Sequence, residues 1–125
     1  MKQHLLVVDD EANIRELLGK CLASNGYRVT AVASAAEALR VARDERPDLI
    51  ISDLQLEDAD GLEMIAELKA EFPERPVILL TGVLFDPKVV NELLPAKVDC
   101  YLEKTSSLAK ILEAVRRLIG PPSAS

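Results

Sequence analysis

Short apolar runs alternate along the chain with longer segments in which apolar residues recur every three or four positions. The runs are Leu5-Leu6-Val7-Val8, Tyr27 to Val32, Leu49-Ile50-Ile51, Val77-Ile78-Leu79-Leu80 and Val98 to Leu102. Three of the five are apolar at successive positions, so both of their faces are buried, as in strands inside a parallel sheet. Tyr27 to Val32 interleaves Arg28 and Thr30, which suits an edge strand.

The intervening segments read as helices. Ile14, Leu17, Leu18, Cys21 and Leu22 fall on one helical face, and Gly26 stops that helix. Ser34-Ala35-Ala36-Glu37 is a capping box that opens the second helix, with Pro47 just past its end. Leu62, Ile65, Ala66 and Leu68 line the third, closed by Pro73. Asp86-Pro87 starts a fourth, which Pro95 ends early. Ser107, Ile111, Leu112, Val115 and Leu118 carry the fifth, capped by Ser106 or Ser107 and stopped by Gly120-Pro121-Pro122. Five strand–helix units predict a doubly wound α/β domain with five parallel strands and five helices. The expected domain is residues 1–120, with residues 121–125 a flexible tail or the start of a linker.

Length and composition narrow the function. The 125 residues fit one domain with a core of its own. No apolar stretch is long enough for a membrane span, and residues 1–5 do not resemble a signal peptide, so a cytoplasmic location away from membranes is expected. A net charge of −6 and 3% aromatics argue against direct nucleic-acid binding. His4 is the only histidine, too little for a zinc site or a histidine-based triad. Cys21 and Cys100 read as small core residues rather than a disulfide.

Ligands of an open parallel sheet bind beyond the carboxyl ends of its strands. The first apolar run is followed there by Asp9-Asp10, the third by Ser52 and Asp53, the fourth by Thr81-Gly82, and the fifth by Glu103 and Lys104. Taken singly, each has a plain structural explanation: Asp9 or Asp10 as a helix cap, Asp53 and Thr81 as loop residues, Lys104 as a surface cation. Taken together, three acids at one site repel one another unless a cation is present, and Mg²⁺ suits such a donor set. Phosphoryl transfer to a carboxylate needs this combination. Asp53 is the acceptor, Asp9 and Asp10 hold the ion, Lys104 and Thr81 cover the phosphoryl oxygens, and Gly82 admits close backbone approach.

The segments Leu5-Leu6-Val7-Val8-Asp9-Asp10-Glu11, Asp48-Leu49-Ile50-Ile51-Ser52-Asp53-Leu54, Asp60-Gly61, Leu79-Leu80-Thr81-Gly82 and Tyr101-Leu102-Glu103-Lys104 closely resemble the receiver domain of bacterial response regulators. The resemblance spans residue 3 to about residue 119. It implies a flavodoxin-like fold with strand order 2-1-3-4-5. Its other implications are phosphorylation of Asp53 by a sensor histidine kinase or a histidine phosphotransfer domain, and Mg²⁺ held by Asp9, Asp10, Asp53 and the Gln55 carbonyl. Thr81 and Lys104 would contact the phosphoryl group, and Tyr101 would turn inward as Thr81 moves. A downstream output protein or fused output domain is the further partner, and the domain is a regulatory switch rather than an enzyme.

Three positions depart from the family pattern. Thr105 replaces the usual proline after the lysine, so the Lys104–Thr105 bond is expected to be trans, because a cis bond to a non-proline costs about 3 kcal/mol. Leu56-Glu57 replaces Met-Pro, and Pro95 interrupts the segment from Pro87 to Lys97. Rival readings fit less well. A non-phosphorylated module of the same fold would not need all five site residues. An aspartyl phosphatase usually has an acid at the position of Gln55. A flavin or nucleotide carrier would need glycines where Asp9-Asp10-Glu11 stands.

Overall fold

The computed structural model describes residues 3–53, 56, 58, 61–81 and 98–121; the side chains of Leu62 and Thr81 lie outside that description. Each apolar run forms a strand: β1 (His4–Val8), β2 (Arg28–Val32), β3 (Leu49–Ser52), β4 (Val77–Thr81) and β5 (Cys100–Glu103). The helices among the described residues are α1 (Ala12–Ser24), α2 (Ala35–Glu45), α3 (Gly61–Glu71) and α4 (Leu108–Ile119). The helix expected between Asp86 and Pro95 lies outside the described residues, as do the segment ends at Gly82 and residues 122–125. The strands form one parallel sheet in the order β2-β1-β3-β4-β5.

Alternation of side chains along the central strands divides the core in two. Leu5, Val7, Leu49, Ile51, Ile78 and Leu80 point to the side of α1 and α4 and pack on Leu18, Leu22, Ile111 and Val115. Leu6, Val8, Ile50, Val77 and Leu79 point the other way, onto Ala38 and Val41 of α2 and Ile65 and Leu68 of α3. Both faces are apolar because both are covered by helices.

Local chemistry sets the helix ends. Ser34 caps α2 by accepting the Glu37 N–H at 3.3 Å, and Ser107 caps α4 by accepting the Lys110 N–H at 3.2 Å. After α1 the chain turns at Gly26 with φ of 94°, a conformation that favours glycine. Two side chains meet the last carbonyls of α4. The Gln3 amide donates to the Ile119 carbonyl at 2.6 Å, and the buried Tyr27 hydroxyl donates to the Gly120 carbonyl at 3.1 Å.

Some expectations need correction. Leu17 is 49% exposed, because α1 buries a narrow stripe centred on Leu18 and Leu22 with Ile14 partly covered. On α3 the described buried face adds Met64 to the expected Ile65 and Leu68, with Ala66 at its flank and the Leu62 side chain outside the described residues. Strand β5 begins at Cys100 rather than Val98. Just before it, the Asp99 carboxylate accepts the Val77 N–H at 2.8 Å and pairs with the buried Lys69 ammonium at 3.0 Å. Both cysteines are free, as expected, but each is half-buried rather than in the core. The described residues contain no cis peptide bond, so Lys104–Thr105 is trans. None of their helices is long and apolar enough to cross a membrane.

The single histidine sits at the amino end of the sheet. His4 is buried, and its Nε2 lies 2.7 Å from the Thr30 hydroxyl, which itself donates to Glu45 at 2.9 Å. Thr30 therefore accepts from a protonated Nε2 of the neutral ring. Burial first, and the Arg28 charge second, lower the His4 pKa, against the pull of Glu45 and Asp48. A lowered folded-state value means that the unfolded chain takes up the proton first. The resulting stability is complete above about pH 6.5, the ordinary histidine value, and is lost as pH falls through the folded value. The urea midpoint should hold steady from pH 8 to 7 and decline from pH 6.5 to 5.5. His4→Gln should flatten that decline.

Candidate functional site

Strand order reverses direction between β1 and β3, and open sheets place their ligand crevice at such a point. Parallel pairing sets Val8 opposite Ser52, so the residues that follow, Asp9 and Asp53, leave the sheet at one level. The backbone continues to hold them there. The Asp53 N–H donates to the Val8 carbonyl at 3.0 Å, and the Asp9 N–H donates to the Val32 carbonyl at 3.1 Å. Buried Ser52 donates its hydroxyl to the Asp53 carbonyl at 2.9 Å. Carboxylate oxygens of Asp9, Asp10 and Asp53 all lie within 4.8 Å of one another. Asp9 and Asp53 are buried, and Asp10 is the most open of the three.

Neither Asp9 nor Asp10 is the cap of α1. That position is Glu11, whose side chain makes no cap bond, while Asp9 Oδ1 accepts the Glu11 N–H at 2.8 Å in a local turn. The capping explanation of the acidic pair therefore does not account for it.

Lys104, directly after β5, extends into the cluster. Its Nζ lies 2.9 Å from Asp53 Oδ2, 3.1 Å from Asp9 Oδ2 and 3.4 Å from Glu11 Oε1. Burial alone would lower the Lys104 pKa, but hydrogen bonds to Asp53 and Asp9 outweigh it and raise the value above that of an ordinary lysine. Burial pushes the Asp9 carboxyl above the usual carboxylate range, against the Glu11 N–H and Lys104. Three carboxylates and one ammonium leave a net charge of −2. A hard divalent cation is the complement of that donor set in charge and in ligand type.

Thr81 ends β4 opposite Glu103, so its backbone stands at the same edge of the sheet, one residue from the level of Lys104. Its side chain, Gln55 and Gly82 lie outside the described residues. Tyr101 pairs in register with Leu79 and is half-buried against the α2–α3 side of the core, where burial raises its phenol pKa. Two contacts had no signature in the sequence. Arg15 donates to the Asp9 carbonyl at 2.8 Å, a link between a helix and the loop before it. Asp58 accepts the N–H groups of Ala35 and Ala36 at 2.9 and 3.1 Å, so its partners are remote in the chain.

Known proteins match this arrangement. The model of the response regulator receiver domain family matches residues 5–116. Over 115 residues the chain is 37% identical to the response regulator protein VraR of Staphylococcus aureus, covering 90% of this chain and 54% of VraR. It is 47% identical over 79 residues to the transcriptional regulatory protein GlrR of Escherichia coli, covering 63% of this chain and 18% of GlrR. The chain thus spans at most about half the length of these two relatives. Among solved structures, a CheY-like receiver domain protein from Methanospirillum hungatei superposes with a TM-score of 0.88 at 26% identity, covering 95% of each chain. The chemotaxis response regulator CheY4 of Vibrio cholerae gives 0.84 at 26% identity, covering 94% of this chain and 99% of CheY4. From the match to nearly its whole length, this chain belongs to the response regulator receiver domain family of two-component signalling.

Proposed function

We propose that this receiver domain is a cytoplasmic phosphoacceptor switch, with Asp53 taking a phosphoryl group from a histidine kinase or a histidine phosphotransfer domain. The observation that carries the reading is the convergence of Lys104 on Asp53 at 2.9 Å beside the Asp9 and Asp10 carboxylates. An acceptor carboxylate, a cation for the phosphoryl oxygens and donors for a hard divalent ion stand together there.

In this reading a carboxylate oxygen of Asp53 forms the new P–O bond as the P–N bond of the donor phosphohistidine breaks. The imidazole leaves with the electron pair and picks up a proton. Lys104 shifts from Asp9 and Asp53 to the oxygens of the arriving group, and the Thr81 hydroxyl donates to another. Asp9, Asp10, Asp53 and the Gln55 carbonyl would hold Mg²⁺, which when bound offsets the negative charge of the carboxylates and phosphoryl oxygens. Asp9 and Asp53 are already desolvated, so these charges interact strongly. The role is regulatory: phosphate on Asp53 changes the surface offered to an output protein or output domain, with no direct contact to nucleic acid or membrane.

A small-molecule phosphodonor with Mg²⁺ should add one acid-labile phosphoryl group, detectable as a mass shift. Asp53→Asn should abolish it, and labelling undiminished in that variant would refute the assignment.

Asp10→Ala should weaken Mg²⁺ by more than about tenfold, read by NMR titration, while the circular dichroism spectrum stays that of the wild type. Because Asp10 makes no cap bond to α1, loss of fold with Mg²⁺ affinity intact would be the contrary result.

Phosphorylation should draw Thr81 toward Asp53 and turn Tyr101 further inward. A ligand shifts such an equilibrium only by its difference in affinity for the two states. Beryllofluoride with Mg²⁺ should therefore change amide exchange both around Asp53 and along β5. A change confined to Asp53 would place the output elsewhere.

A further inference from the structure

Beyond Asp53 the chain is tied down at two further described points. Leu56 is half-buried against the core cluster that contains Ala35 and Ala38 of α2. Asp58 then spans the first turn of α2, with Oδ1 accepting from Ala35 at 2.9 Å and Oδ2 from Ala36 at 3.1 Å. The amino end of a helix leaves N–H groups without partners inside the helix. Ser34 already serves the Glu37 N–H. The Asp58 carboxylate satisfies two more, and it comes from the segment that leads away from the acceptor. These two N–H groups hold its carboxyl below the usual carboxylate range.

The upstream end of the same segment is equally constrained. Asp53 hangs from the Val8 carbonyl by its N–H at 3.0 Å, and its carboxylate lies on Lys104. Only residues 54–57 separate it from Asp58 in the chain, and Leu56 among them is packed against the core.

We infer that Asp58 is a positioning residue: by latching the segment after Asp53 onto the amino end of α2, it couples cation binding at Asp9, Asp10 and Asp53 to the first turn of that helix. The inference rests on the metal reading proposed above. The latch fixes Asp58 before the cation arrives, so less conformational freedom is lost on binding, and affinity is higher with the latch than without it. Coupling is reciprocal: a cation at the acids must tighten the bonds to Ala35 and Ala36 by the same factor.

NMR titration of MgCl₂ into the full chain tests this, with amide exchange recorded at Ala35 and Ala36. Asp58→Ala should weaken Mg²⁺ about threefold to tenfold, less than the ~10–100-fold typical for a partner bonded directly to a ligand. Asp58→Asn, which keeps one acceptor, should fall between that variant and the wild type. Mg²⁺ should slow exchange at the Ala35 and Ala36 amides of the wild type and leave them unchanged in Asp58→Ala. A residue that only stabilised α2 would raise exchange there without any response to Mg²⁺. If Asp58→Ala does not fold, Asp58→Asn and the wild-type exchange carry the test. Wild-type Mg²⁺ affinity retained in both variants, with those amides indifferent to Mg²⁺, would overturn the latch alone. No Mg²⁺ binding by the wild type would overturn the metal reading and the latch with it.

Discussion

Mutual repulsion of three carboxylates, held close by the sheet, is the constraint on which the acidic end of this molecule depends. Parallel register puts β1 and β3 side by side with Val8 opposite Ser52, and two backbone hydrogen bonds carry that alignment one residue further, to Asp9 and Asp53. Two unit charges about 4 Å apart repel by about 4 kcal/mol at an effective dielectric near 20, against a stability of about 5–15 kcal/mol for a whole domain. Such a cluster needs a cation. Lys104 supplies one by bridging Asp9 and Asp53, and the three carboxylates together form a donor set that could hold a metal ion as well.

Precision at that end is inherited from the apolar interior. Asp9 and Asp53 do not find their places by side-chain packing of their own; they are the first residues beyond strands whose apolar positions are locked between two helical layers. Lys104 reaches them because β5 lies beyond β4 in the same sheet and ends at the same level. A cavity opened at Val8 or Ile51 would loosen the geometry of the acids without touching any of them.

Much of this was legible in the sequence because period and punctuation agree. Apolar runs of three to six residues, set between helical segments punctuated by Ser34, Pro47, Gly26 and Ser107, have few other solutions, and the acids, Thr81 and Lys104 follow those runs within two residues. The less legible features depend on tertiary packing. The stripe on α1 is wide enough to include Leu17, and only the packed fold reveals that Leu17 faces water while Leu22 is buried. Val98 is as apolar as a strand residue, yet β5 starts after Asp99, whose carboxylate is taken by the Val77 N–H and Lys69. The link from Asp58 to Ala35 and Ala36 joins positions more than twenty residues apart, and no local spacing rule reports such a contact.

The clasp of Gln3 and Tyr27 on the last carbonyls of α4 has a spatial consequence. Gln3 precedes β1 and Asp9 follows it, so at about 3.3 Å per residue the two lie roughly 20 Å apart. The end of α4 therefore stands at the pole opposite the acids. The acidic mouth and the end of α4 are thereby segregated, with the length of the sheet between them.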